Sequence, residues 1–149
     1  MKLSTKGRYG LRALLDLAVH QERGPVSIQS IADRQDISES YLEQIIGKLR
    51  KAGLVNSIRG AQGGYQLALD PSDISVGDVL RALEGNLTPV ECNGLQEDGL
   101  CSGKDLCVTK YVWKKINESI NETVDEIKLD QLVEESKRAR ENHKADDCQ

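Results

Sequence analysis

Apolar residues along the first twenty positions return at helical spacing. Leu11, Leu14, Leu15, Leu17 and Ala18 share one side of a run that begins at Ser4 and ends before Gly24-Pro25. This predicts a first helix to about His20. Ser27 caps a shorter second helix, S-I-Q-S-I-A-D-R-Q, with Ile28, Ile31 and Ala32 on one side and a break at Asp36-Ile37. A third opens near Ser38, with Ser40 and Glu43 offering a competing capping box. It turns Leu42, Ile45, Ile46 and Leu49 inward, and Gly53 closes it. The run L-V-N-S-I-R-G-A-Q-G-G-Y-Q-L-A-L then reads as two short β-prone segments joined through R-G-A-Q-G-G, a hairpin with a flexible tip.

After Asp70-Pro71, the run S-V-G-D-V-L-R-A-L-E-G is a short helix capped by Ser75 with Asp78, its inner face Val76, Val79, Leu80 and Leu83. A last helix starts at a Thr109 cap and sets Val112, Ile116, Ile120, Val124 and Ile127 at steps of four, four, four and three. One apolar stripe on a polar helix must be buried, either on its own chain or on a second copy. From Ser136 onward there is no apolar repeat, and the tail is expected to fray.

Three helices followed directly by a glycine-rich hairpin is the element order of a winged helix-turn-helix. The expected fold is mainly α, with a β-hairpin wing and a long dimerisation helix. The chain divides into a winged helix-turn-helix DNA-binding domain at 1–85, a cysteine-containing loop at 86–108, a dimerisation helix and C-terminal helical segment at 109–135, and a flexible tail at 136–149. Readers of DNA half-sites are two-fold dimers, so the stripe is expected to pair with its twin in a homodimer.

Charge separates the two parts. Residues 1–69 carry 10 Lys/Arg against 6 Asp/Glu, a net +4, and residues 70–149 carry 10 against 18, a net −8. A basic front suits phosphate, and an acidic rear suits some other task. On the outer side of the third helix Ser40, Gln44, Lys48 and Lys51 line up as donors to base edges or phosphates, although such a row is also an ordinary solvated face. Arg59 at the root of the wing is placed for a minor-groove or phosphate contact. No nucleophile and base stand together in the sequence, and His20 and His143 read as a helix-end and a tail residue, so no enzyme is expected. No run approaches the roughly 20 apolar residues of a membrane span, and the expectation is a cytoplasmic protein without a membrane partner.

Cys92, Cys101 and Cys107 stand in C-N-G-L-Q-E-D-G-L-C-S-G-K-D-L-C, with eight and then five residues between them. This is not the Cys-x-x-Cys clip of zinc knuckles. The turn pairs Asn93-Gly94, Asp98-Gly99 and Ser102-Gly103 let the backbone aim amides at thiolate or sulfide, and Cys107 precedes a helix start that favours thiolate. An iron-sulfur cluster, a zinc ion, disulfides using Cys148, and a bare thiol switch all remain open.

The opening M-K-L-S-T-K-G-R-Y-G, the run S-E-S-Y-L-E-Q-I-I-G-K-L-R-K-A-G-L-V, the wing S-I-R-G-A-Q-G-G-Y and the three-cysteine loop before a long helix together resemble the IscR-type regulators of the Rrf-type winged-helix family over roughly residues 1–130. The resemblance implies a homodimeric transcription regulator on double-stranded promoter DNA, carrying a [2Fe-2S] cluster on Cys92, Cys101 and Cys107. It implies control of cluster-assembly or related genes, with cluster-assembly proteins as further partners. Its recognition-helix positions fall on Ser40, Glu43 and Gln44 and its wing position on Arg59, and the full set of expected DNA contacts is Ser38, Ser40, Tyr41, Glu43, Gln44, Lys48, Lys51, Arg59 and Gly60. Cysteine-metabolism and redox or nitric-oxide responsive repressors belong to the same family, and an iron-sulfur carrier or electron-transfer protein is the reading from another class. One position departs: a histidine that serves as fourth ligand in the family is Lys110 here, and an aspartate used by another branch is Arg8. Cys148, His143, Glu91, Asp105 or an exogenous ligand are the remaining candidates.

Overall fold

The computed structural model describes residues 2–92 and 101–147. Serine caps start the four helices of its first half. Ser4, Ser27, Ser38 and Ser75 are extended in backbone, and each hydroxyl accepts a first-turn amide, opening α1 (Thr5–His20), α2 (Ile28–Gln35), α3 (Glu39–Lys51) and α4 (Val76–Glu84). Ser38 therefore starts α3, ahead of the competing Ser40. At α4 the capping box is complete, because the Asp78 carboxylate also accepts the Ser75 amide. Asp36 ends α2 in the left-handed region, at φ 53°, which makes the sharp turn that aims α3.

β1 (Val55–Ile58) and β2 (Gly64–Leu67) form the antiparallel wing, in register from Val55 opposite Leu67 to Ile58 opposite Gly64. Val26 exchanges both backbone hydrogen bonds with Tyr65, each 2.8 Å, and ties the wing to the segment that enters α2. The tip is a tight turn: Gly60 has φ 117°, its carbonyl accepts the Gly63 amide, and a side chain at Gly63 would collide with the Ile58 carbonyl.

The core is built around α1, whose Ala13, Leu14 and Leu17 are wholly buried against Ile31 of α2 and Leu42, Ile45, Ile46 and Leu49 of α3. Burying each large side chain stabilises by about 1.5–3 kcal/mol. Gly7 and Gly10 let α4 come close, since a side chain at Gly10 would meet Leu83. Element order and hairpin are those of a winged helix-turn-helix, as the patterning predicts.

The C-terminal part differs from the sequence expectation in three ways. α5 (Lys110–Glu126) begins without a side-chain cap, because Thr109 is already helical in backbone and its hydroxyl contacts the Cys107 sulfur at 3.2 Å. The stripe on α5 is shared between two fates: Ile120, Val124 and Ile127 pack on Val76, Leu80 and Leu87 of the same chain, while Val112 and Ile116 stay 51% and 39% exposed. The expected fraying from Ser136 is not observed over the described residues, where α6 (Leu129–Asp147) is helical throughout. Leu129 is buried in the core, Leu132 and Val133 pack against it, and the solvent-facing turns carry pairs such as Arg138 with Glu135 at 3.0 Å. Their polar pattern leaves no stripe to recognise. Among the described residues no helix is long and apolar enough to cross a membrane.

Candidate nucleic-acid interface and cysteine loop

At about 3.6 residues per turn, Ser40, Gln44 and Lys51 lie opposite the buried row of α3. Glu43 and Arg50 fall on one flank, Tyr41 and Lys48 on the other. Ser38, Ser40, Glu43, Gln44, Lys48, Arg50 and Lys51 are all exposed, as are Arg59 and Gly60 of the wing. Arg50 meets the wing at a groove of about 510 Å³ lined by Arg50, Asn56, Ser57, Ile58 and Arg59. In the sequence Arg50 is only a basic residue near the end of α3, and its neighbourhood with Arg59 needs the hairpin to fold back. Two predicted residues have other duties. The Ser38 hydroxyl accepts the Tyr41 amide at 3.4 Å, and half-buried Tyr41 shares a hydrogen bond of 3.1 Å with Thr5 and stacks edge-on against Tyr9 at 6.1 Å.

An ion pair with a buried carboxylate holds the helix-turn-helix to α1. Asp16, 3% exposed, accepts two bonds from Arg34 Nε at 3.1 and 2.9 Å, one from Nη2 at 2.7 Å, and one from Gln35 at 2.9 Å. The hydrogen bond to Asp16 holds the Arg34 guanidinium above its ordinary pKa. The N-terminal amides of α1 are met by Glu84 of α4, which accepts from the Ser4 hydroxyl and from the amides of Ser4 at 2.9 Å and Gly7 at 3.1 Å. Desolvation alone would raise the Glu84 pKa, but these bonds outweigh it and leave the carboxyl below the usual range.

Cys92, Cys101 and Cys107 are free thiols, Cys101 exposed and the other two half-buried. They flank a stretch of which residues 93–100, with Asn93-Gly94 and Asp98-Gly99, lie outside the described residues. Among the described residues no three His, Cys, Asp or Glu side chains are gathered at metal-binding distance. Thiols attract no one another, and a cation is what draws them together. The donor set nevertheless fits a soft thiolate-bound group. The Thr109 hydroxyl, followed by the Lys110 amide, lowers the Cys107 thiol toward the ligating thiolate form. Lys110 does not complete the set, because its ammonium donates to the Lys104 carbonyl and lies 5.6 Å from the Tyr111 ring centre. Glu91 and Asp105 are exposed, His143 lies 3.6 Å from Asp147 on α6, and Cys148 is outside the described residues.

The cysteine loop leads into the free end of α5. The other end is fixed to the body: Arg81 of α4 makes bonds of 2.7 and 2.9 Å to Asp125 and 2.7 Å to Asn121, and the Val76 amide donates to the Ile127 carbonyl at 2.9 Å. Lys115, Ile116, Ser119, Ile120, Thr123 and Val124 line an open groove of about 410 Å³ along the helix.

Residues 3–135 match the family described as Rrf2, iron-dependent transcriptional regulator. The HTH-type transcriptional regulator IscR of Aliivibrio salmonicida is 45% identical over 133 residues, 89% of this chain and 77% of that protein. Among solved structures, T. potens IscR is 50% identical with a TM-score of 0.75, covering 93% of this chain and 90% of that one. CymR, the global cysteine regulator of B. subtilis, is 42% identical with a TM-score of 0.74, covering 90% and 97%.

Proposed function

The chain belongs to the Rrf2 family of transcription regulators, and from that premise we propose that it is a homodimeric sensor whose cysteine loop holds a [2Fe-2S] cluster and sets how it binds promoter DNA. It is an IscR-type helix-turn-helix regulator, in a family that is not enzymatic. The observation that carries the sensing is the set of three free thiols in one loop leading directly into α5.

Ser40, Glu43, Gln44 and Lys51 enter the major groove on α3, and Arg59 and Gly60 follow the backbone or minor groove from the wing. Glu43 acts as a selector, since a carboxylate near phosphate is repelled unless it meets a base donor such as cytosine N4. Val112 and Ile116 pair with the second copy across the two-fold axis. Cys92, Cys101 and Cys107 hold the cluster, which supplies a group whose presence depends on iron, sulfide and oxidants. The way these cysteines are held is passed along α5 to Asp125 and Asn121, and through Arg81 to α4 beneath the DNA-binding helices. Cluster-assembly genes are the proposed targets.

The test is anaerobic purification with iron, sulfide and zinc analysis, an absorption spectrum, and promoter binding by the protein and its Cys92, Cys101, Cys107→Ala variant. Near-equal iron and sulfide with a visible charge-transfer band, and altered promoter choice in the variant, are expected. A colourless protein whose variant binds every promoter unchanged would end the sensing proposal.

A further inference from the structure

The flank of α3 away from the wing carries Lys48, an expected DNA contact, and lies beside the start of α1. There Lys6, in the first turn of α1, and Lys48 of α3 share a cleft with Tyr41, Gln44 and Ile45. The cleft is small, about 10 Å³, room for one water molecule or one oxygen of a larger anion. Repulsion from the neighbouring Lys6 ammonium holds Lys48 below its ordinary pKa, against a weaker pull from Glu84. Among the described residues neither lysine forms an ion pair. Glu84 directs its carboxylate to Ser4 and Gly7, so the amides of the helix end are already met, and it offsets the charge of the lysine pair only at a distance.

The pair is held in place by structure. The Thr5–Tyr41 hydrogen bond and the Tyr9–Tyr41 stack lock the start of α1 against α3 one residue and three residues from the lysine of α1. Two neighbouring cations repel in the free protein and are stabilised by an anion between them. Their flank borders the face of α3 that carries Gln44, where a DNA backbone runs beside a helix in the major groove.

We propose that Lys6 and Lys48 together clamp one phosphodiester of the DNA backbone, which makes the first turn of α1 part of the DNA interface. The clamp rests on the reading of this chain as a DNA-binding regulator. A phosphate contact sets position and carries no base information, so its loss weakens binding to all sequences alike.

The test uses the full chain, a duplex selected from a random library by the unaltered protein, and a second duplex of unrelated sequence. Affinity is measured by fluorescence anisotropy over a range of salt concentrations for Lys6→Gln, Lys48→Gln and the double variant. One lost phosphate contact flattens the slope of log affinity against log salt by about 0.9. The double variant is expected to show that change and about a five- to tenfold loss at physiological salt on both duplexes. Each single variant shows less, because the remaining lysine keeps the phosphate. Thermal unfolding of Lys6→Gln at or above that of the unaltered protein separates the clamp from a fold defect. Lys6→Gln with unchanged slope, and the double variant no worse than Lys48→Gln, would overturn the clamp alone. An unaltered protein that binds neither duplex would overturn the DNA reading beneath it.

Discussion

Removing Arg34 should destabilise the protein more than removing Asp16, although the two form one ion pair. The Asp16 side chain is 1% exposed and that of Arg34 is 34% exposed, so the partners lose different things when left alone. Without Asp16, the guanidinium turns its outer nitrogens to water and recovers part of its solvation. Without Arg34, a carboxylate in the core keeps only the Gln35 amide and the weaker approach of His20 at 3.5 Å. Breaking a buried pair costs about 3–5 kcal/mol. Asp16→Ala belongs near the lower end and Arg34→Ala near the upper, with the double variant well short of their sum. For a chain of this size each kcal/mol lowers Tm by about 2–4 °C. Urea denaturation followed by circular dichroism gives the three values. Asp16→Ala costing as much as Arg34→Ala, or both costing less than about 1 kcal/mol, would refute the assignment of desolvation to the carboxylate. Neither residue belongs to the proposed DNA contacts on α3 and the wing, so folded variants should keep the salt dependence of DNA binding.

Gly64→Ala puts a methyl 2.5 Å from the Val26 carbonyl oxygen and should unseat the wing, costing about 1–3 kcal/mol by denaturation and weakening DNA binding more than Tm suggests. Ile116→Glu should yield a folded monomer by analytical ultracentrifugation, with little change in monomer stability because the residue is 39% exposed. Glu84 has a depressed folded pKa, so its contribution is present above the ordinary glutamate value of about 4.3 and is lost as pH falls through the lower folded value. The stability advantage over Glu84→Gln should therefore be flat near neutrality and shrink in acid, as denaturation across pH 3–7 will measure. Arg81→Ala removes a partly exposed pair worth about 1 kcal/mol or less, yet should reduce the difference in promoter binding between cluster-loaded and cluster-free protein.

The DNA-binding half was legible because its determinants are local. Ser4, Ser27, Ser38 and Ser75 each announce a helix within one turn, and the stripes of α1 and α3 name their own buried faces. Pairings across elements left no such mark. Asp16 with Arg34, Arg50 beside Arg59, and Lys6 beside Lys48 are each brought together by packing, and a single charged residue reads the same whether solvated or paired. The cysteines were legible as donors of a type, while their arrangement depends on a ligand and on residues 93–100.

α5 shows where periodicity stops being informative. Spacing of four residues establishes that Val112, Ile116, Ile120, Val124 and Ile127 share a face, but burial by the same chain and burial by a second copy demand the same spacing. The structure divides the stripe near its middle. Ile120, Val124 and Ile127 pack half-buried on α4 and Leu87, where Arg81 pins Asp125, and Val112 and Ile116 remain exposed at the end that follows the cysteine loop. A helix about 25 Å long that is rigid along its axis carries a tilt at one end to the other. With both halves of the stripe buried by its own chain, α5 would be locked and could report nothing. With neither half anchored, movement at the cysteine end would be lost before it reached α4. The observed division meets both requirements of the proposed sensor, and it places the proposed partner contact and the cysteine loop at the same end of the lever.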